Sequence, residues 1–142
     1  MPIFRDSDQF YACVGALMER AKVDPDVGKK IAKSKIVLQF RYTEPTAMTT
    51  VNAKTEPSQE GAYVDVIQGE CDLKPDVTMS MKADVAHKFW LGKVNLVSAL
   101  AKGDIETKGP IPKILKLLPA IKPLYSEYPE ILRENGLEDL NG

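Results

Sequence analysis

GKVNLVSALAKGDIETKGPIPKILKLLP, residues 92–119, is the most patterned stretch of this 142-residue chain, and nothing in it looks catalytic. Its three glycines read as stops. Gly92 ends a preceding helix, Asn95 starts a short one over NLVSALAK, and Gly103 ends that in turn. DIETKG then reads as a short strand. From Ile111 to Leu118 apolar residues recur at helical spacing, and Pro119 is expected to kink or stop the helix. The most regular segment therefore reads as a run of short, punctuated elements, with no acid, base or nucleophile poised for chemistry.

Working outward, VTMSMK (77–82) alternates with period two. Val77, Met79 and Met81 fall on one face; Thr78, Ser80 and Lys82 fall on the other. Asp84 is the expected cap of the helix that follows, with Val85 and Phe89 on one side and Ala86 and Trp90 flanking them. Upstream, residues 36–42 alternate as well, setting Ile36, Leu38, Phe40 and Tyr42 against Val37, Gln39 and Arg41. Thr43-Glu44-Pro45 breaks that run. TAMTTVNAK (46–54) and AYVDVIQ (62–68) read as a second and third strand, Val64 and Val66 sharing a face. EPSQEG between them is a turn cluster. Before the strands, Asp6 or Ser7 caps a helix to about Arg20, with Phe10, Cys13, Val14 and Leu17 along one side. A second short helix has Asp24 as its cap and Pro25 at its first position. A last helix is expected over about Tyr125–Asn135. The pattern is α+β: a single five-stranded, mostly antiparallel sheet with helices on one face.

Composition narrows the function. With 44% apolar and 27% charged residues, the chain has enough apolar content for a core, and its length suits one domain. Nineteen basic and 20 acidic residues give a net charge of −1, which argues against a nucleic-acid binder. Cys13 and Cys71 are far apart in sequence and form no metal-binding spacing; two lone thiols fit a reducing compartment, a single disulfide being the alternative reading. MPIFRDSDQF lacks a signal-peptide pattern, no run suits a transmembrane helix, and DLNG is not a peroxisomal address. The expected location is the cytoplasm. No GxGxxG, P-loop or GxSxG motif occurs, so no cofactor is expected. His87, the only histidine, lies roughly opposite Val85 and Phe89 and is expected to face solvent, a poor general base. Asp65, Glu70, Asp72 and Asp76 lack calcium-loop spacing and read as solvated, so no metal site is expected.

VTMSMKAD (77–84), then Gly92-Lys93-Val94-Asn95, Ala99 and KGDIETKG (102–109), placed after the meander IVLQFRY, TAMTTVNA and YVDVIQ, resemble the sterol carrier protein type-2 family. The resemblance covers roughly residues 8–120 of a single domain spanning 1–142, leaving a C-terminal helical extension at 121–142. It implies a sheet and helices enclosing an apolar cavity that takes fatty acids, fatty acyl-CoA, sterol-like molecules or phospholipids, without enzymatic activity. It also implies a lipid or other long apolar partner, with transient membrane-surface contact open. The alternative is an accessory module that binds a partner enzyme, or presents a lipid-like intermediate such as a quinone precursor to it. The expected catalytic residues are none.

With that family in view, the candidate lipid-binding residues are Phe40, Val64, Val66, Met79 and Met81 on the strands. On the helices they are Phe89, Trp90, Ile111, Ile114, Leu115 and Leu118. Methionine suits irregular apolar ligands, though core methionines are common. Phe89 and Trp90 also fit a plain core. The stripe Ile111, Ile114, Leu115 and Leu118, with Lys113 and Lys116 opposite, fits either a mobile lid or an ordinary amphipathic helix closing the core. A one-residue slip of register would invert any strand face.

Overall fold

The computed structural model describes residues 3–141. The five strands are β1 (Val37–Thr43), β2 (Ala47–Asn52), β3 (Asp65–Gln68), β4 (Val77–Lys82) and β5 (Ile105–Lys108). They form one sheet in the order β3-β2-β1-β4-β5. β1–β2, β2–β3 and β4–β5 pair antiparallel, while the central β1–β4 pair is parallel, so the sheet is mixed.

The register fixes the faces. Leu38, Phe40 and Tyr42 sit beside Val51, Thr49 and Ala47 on one flank and beside Val77, Met79 and Met81 on the other. This face turns toward the helices. The opposite face carries Gln39, Thr50 and Arg41, partly roofed by the connection 69–76. Gln39 is buried there: its amide donates to Thr50 Oγ1 at 3.2 Å, and its carbonyl accepts from Arg41 Nε at 2.8 Å.

The N-terminal helix runs as α1 (Ser7–Phe10), a π-helical turn (Tyr11–Gly15) and α2 (Ala16–Val23). Asp6 caps it, accepting from the Gln9 N–H at 2.9 Å. The π turn sets the Tyr11 hydroxyl against β2, where it accepts from the Met48 N–H at 2.9 Å. α3 (Val27–Ala32) begins two residues after Pro25. Asp24 nevertheless acts as the side-chain cap, accepting from the Asp26 and Val27 N–H groups at 2.9 and 3.0 Å.

α4 (Ala83–Trp90) begins one residue before Asp84, which does not cap it; the Asp84 carboxylate accepts instead from the Ile3 N–H at 2.9 Å. In α5 (Leu96–Lys102) the Asn95 side chain caps the Ser98 N–H, and Gly103 closes the helix at φ +82°. The expected helix over 111–118 is two helices, α6 (Ile111–Leu115) and α7 (Leu118–Ile121). α6 ends at the residue whose carbonyl Pro119 would otherwise have to bond through a missing N–H. Pro119 itself sits in the first turn of α7, where a proline is tolerated. α8 (Leu124–Glu134) and a 3₁₀ turn (Glu138–Asn141) complete the chain.

Two apolar clusters form the core. The first joins the N-terminal helix, α4 and α8 around Phe10, Leu17, Tyr128 and Leu132. The second lies between the sheet and α5–α6, around Val77, Met79, Leu96, Ile105 and Ile114. Phe40, Val66, Met81, Phe89 and Ile31 pack against both.

Candidate functional site

An apolar pocket lies on the seam between the two clusters. The sheet supplies its floor through Leu38, Phe40, Tyr42, Val51, Met79, Met81 and Ile105. Met18, Ala21 and Ile31 wall it from the N-terminal helices, and Ala86, Phe89 and Trp90 from α4. Leu96 of α5, Ile114 of α6, Leu118 and Ile121 of α7, and Leu124 of α8 complete it, with Leu117 from the turn between α6 and α7. Among the described residues, no charged side chain lines it. The void measures about 80 Å³, well below the roughly 300–1,000 Å³ typical of ligand pockets. In this state it is nearly collapsed, and a long ligand enters only if part of the wall moves.

Of the eleven residues singled out from the sequence, Phe40, Met79, Met81, Phe89, Trp90, Ile114 and Leu118 come together on this pocket. The other four stand off it. Val64 is buried just before β3 in the sheet-side cluster. Val66 shares the helix-facing side with Val51, but on the edge strand next to α2. Leu115 is half-buried against the sheet-side cluster. Ile111 is 40% exposed at the start of α6.

Leu38 and Tyr42 lie in the same alternation as Phe40 and could have been chosen by parity alone. Leu124, Ile121 and Met18 had no such signal, because their place depends on how distant helices dock.

Aromatic rings stiffen one end of the pocket. Phe89 meets Trp90 edge-on at 5.0 Å, and Tyr125 of α8 lies 5.8 and 5.7 Å from the two rings. Behind them His87 is buried at 2% exposure, contrary to its expected place in solvent. The helical wheel placed it opposite Val85 and Phe89 correctly, but α8 and Phe4 cover that second side. The Leu140 carbonyl, 3.0 Å from Nε2, can only accept, so Nε2 carries the proton. Nδ1 therefore accepts from the Tyr128 hydroxyl at 2.7 Å. Burial lowers the imidazole pKa from its ordinary 6.5 and favours this neutral form.

Burial lifts the Cys13 thiol to about 11, so it is an inert core thiol. Asp76, in the acidic stretch after β3, accepts from Lys54 Nζ at 2.8 Å and from the Val37 N–H at 2.9 Å. Those bonds hold its carboxyl below the usual range and tie β4 to β1. Among the described residues no three His, Cys, Asp or Glu side chains converge on a metal position. No described helix is long and apolar enough to cross a membrane.

A family model described as the SCP-2 sterol transfer family matches residues 15–122. The chain belongs to that family. By structure it is similar to the sterol carrier protein domain 2 of Helicoverpa armigera, with a TM-score of 0.60 and 20% identity over 82% of this chain and 91% of that one. It is similar also to palmitated SCP2L2 from Aedes aegypti, with a TM-score of 0.50 and 24% identity over 78% and 95%. A third likeness is to a UbiJ-SCP2 ubiquinone synthesis protein, with a TM-score of 0.53 and 19% identity over 78% and 85%. No curated protein sequence matches the chain. At these identities the structural likenesses establish the fold. The SCP-2 match stops at residue 122, so α8 and its Tyr125, Tyr128 and Leu124 lie beyond it.

Proposed function

We propose that this chain binds a long apolar molecule between its sheet and helices and transfers it, without catalysing a reaction. The supporting observation is the wall: nineteen residues, none of them charged, around one pocket in a fold whose family is a lipid-transfer family. The driving force is burial. Each methylene moved out of water contributes roughly 0.8 kcal/mol. A long acyl chain therefore gains on the order of 10 kcal/mol before association and ordering costs. That suits micromolar affinity without any specific polar contact.

The pocket must swell to accept such a molecule. α6 and α7 are the elements suited to move: five and four residues long, neither has a side-chain cap. Methionines 18, 79 and 81 can repack around ligands of different shape. The same burial favours fatty acids, fatty acyl-CoA esters and sterol-like molecules, in a protein working in the cytoplasm.

Native and denaturing mass spectra of the purified protein, with an organic extract of the same sample, test this. A long-chain molecule released on denaturation is the expected result. A clean unliganded mass, with no uptake of added fatty acid, acyl-CoA or sterol, would overturn it.

The likeness to a ubiquinone synthesis protein favours one second reading: the same pocket holds a lipid-like intermediate, such as a quinone precursor, for a partner enzyme. Recovery of a biosynthetic enzyme with the chain from its native cell would support that reading.

A further inference from the structure

The sheet face turned away from the helices carries a second cavity, of about 370 Å³. β1 serves both sides of the sheet. Phe40 lines the apolar pocket, and its neighbours Gln39 and Arg41 line the cavity behind it. Met48 of β2, beside Arg41 in the register, adds to the floor. Glu70, Cys71 and Asp72 line it from the connection 69–76. That connection is pinned at both ends. The Gly69 N–H donates to the Met48 carbonyl at 2.7 Å, and the Asp76 N–H donates to the Val37 carbonyl at 2.8 Å. Between these anchors the Cys71 thiol comes down on the sheet and donates to Thr50 Oγ1 at 3.3 Å. Unlike the apolar pocket, this cavity already has the size of a small-ligand site, roughly 300–1,000 Å³.

Buried polar side chains hold Arg41 in one orientation. Gln39 is 2% exposed and Thr50 is 0% exposed. The Gln39 amide donates to Thr50 Oγ1, and its carbonyl accepts from Arg41 Nε at 2.8 Å. The terminal nitrogens of the guanidinium keep their N–H groups without an acceptor among the described residues. Glu70 and Asp72 are exposed. Among the described residues neither is in an ion pair, with Arg41 or with any lysine.

Unmatched charges of both signs on one cavity select the ligand. A simple anion would meet Arg41 but face two carboxylates. A metal cation would meet the carboxylates but face the guanidinium. A molecule carrying a carboxylate and an ammonium answers both. The guanidinium fork matches a carboxylate with paired N–H···O bonds. We infer that this cavity binds a small amino-acid-type zwitterion, its carboxylate on Arg41 and its ammonium toward Glu70 and Asp72. The site stands apart from the lipid-transfer reading, since the sheet separates it from the apolar pocket.

Cys71 supplies the readout. Cys13 is buried, so Cys71 is the thiol open to iodoacetamide. Alkylation of the full chain, followed by mass spectrometry, should slow when 4-aminobutyrate fills the cavity. Butyrate and butylammonium each lack one charged end, so half-protection should need about tenfold more of either. Arg41→Gln should raise the half-protecting concentration of 4-aminobutyrate about tenfold. The double variant Glu70→Gln with Asp72→Asn should raise it as well, at an unchanged melting temperature because both side chains are exposed. Lys102→Gln, on α5, should leave it unchanged. No protection by 4-aminobutyrate would overturn the inference. So would equal protection by butyrate, which would make the cavity a plain anion site. Protection that persists undiminished in both variants would overturn it too. A ligand confined to the apolar pocket would leave Cys71 alkylation unslowed, which keeps the two sites distinguishable.

Discussion

His87 shows how one side chain depends on its surroundings. On α4 alone it faces away from the pocket, and only α8 and the C-terminal turn convert that face into interior. Its lowered pKa carries a sign. The unfolded chain takes up the proton near 6.5, while the folded chain resists it. Stability is therefore complete above about pH 6.5 and is lost as pH falls below it, toward the folded-state value. Melting temperatures taken between neutral and mildly acidic pH should show this decline. His87→Phe should flatten it, whatever its effect on absolute stability. Asp6 and Asp76, with their lowered values, add losses only in more acidic solution. A melting temperature that is flat through this range in the unaltered chain would contradict the buried, neutral imidazole.

Individual elements were legible wherever the local signal and the tertiary contacts agree. VTMSMK forms β4 over the expected residues, because its alternation meets strands on both sides. AYVDVIQ starts its strand three residues late. The Tyr63 N–H donates to the Lys22 carbonyl at 2.8 Å, so the segment's first half is bonded to the end of α2 instead of to β2. No pattern in the sequence announces that partner. Of the stripe at 111–118, Ile114 and Leu118 line the pocket, whereas Ile111 is exposed at the start of α6 and Leu115 stands off the pocket. Gly109 was read simply as punctuation. It holds φ +106°, and an added Cβ would lie 2.4 Å from the Asp76 carbonyl oxygen, on the backbone entering β4. Gly109→Ala must strain both the turn into α6 and the start of β4. A loss of about 1–3 kcal/mol in denaturant unfolding is expected; a loss under about 0.5 kcal/mol would show that this junction yields easily.

For the whole molecule, the extension after the family match is structural. Leu124, Tyr128, Ile131 and Leu132 are each at most 1% exposed and sit in the same cluster as Phe10 and Leu17. Arg20 of α2 reaches Glu134 of α8 at 2.6 Å. A chain ending at residue 122 should thus lose cooperative unfolding, seen as a broad or absent thermal transition; a sharp transition would show that α8 is dispensable. The sequence made the five strands and the family rhythm visible, because both depend on local spacing. It did not show that a last helix closes the first core cluster and one end of the pocket, since that contact joins the two ends of the chain. The pocket's near-collapse was hidden for a similar reason: free volume is what remains after every helix has docked.

The parallel join at the middle of the sheet also bears on how the protein is made. Leaving the ribosome, β1, β2 and β3 can pair as a ribbon, but β1 has no second neighbour until residues 77–82 emerge. Until then Leu38, Phe40 and Tyr42 form an apolar face beside an open strand edge, covered only in part by the N-terminal helices, with the cover from α4–α8 still missing. Such a nascent intermediate is prone to edge-to-edge association. Its safe passage depends on prompt translation of the second half, or on a chaperone that shields β1 until β4 arrives.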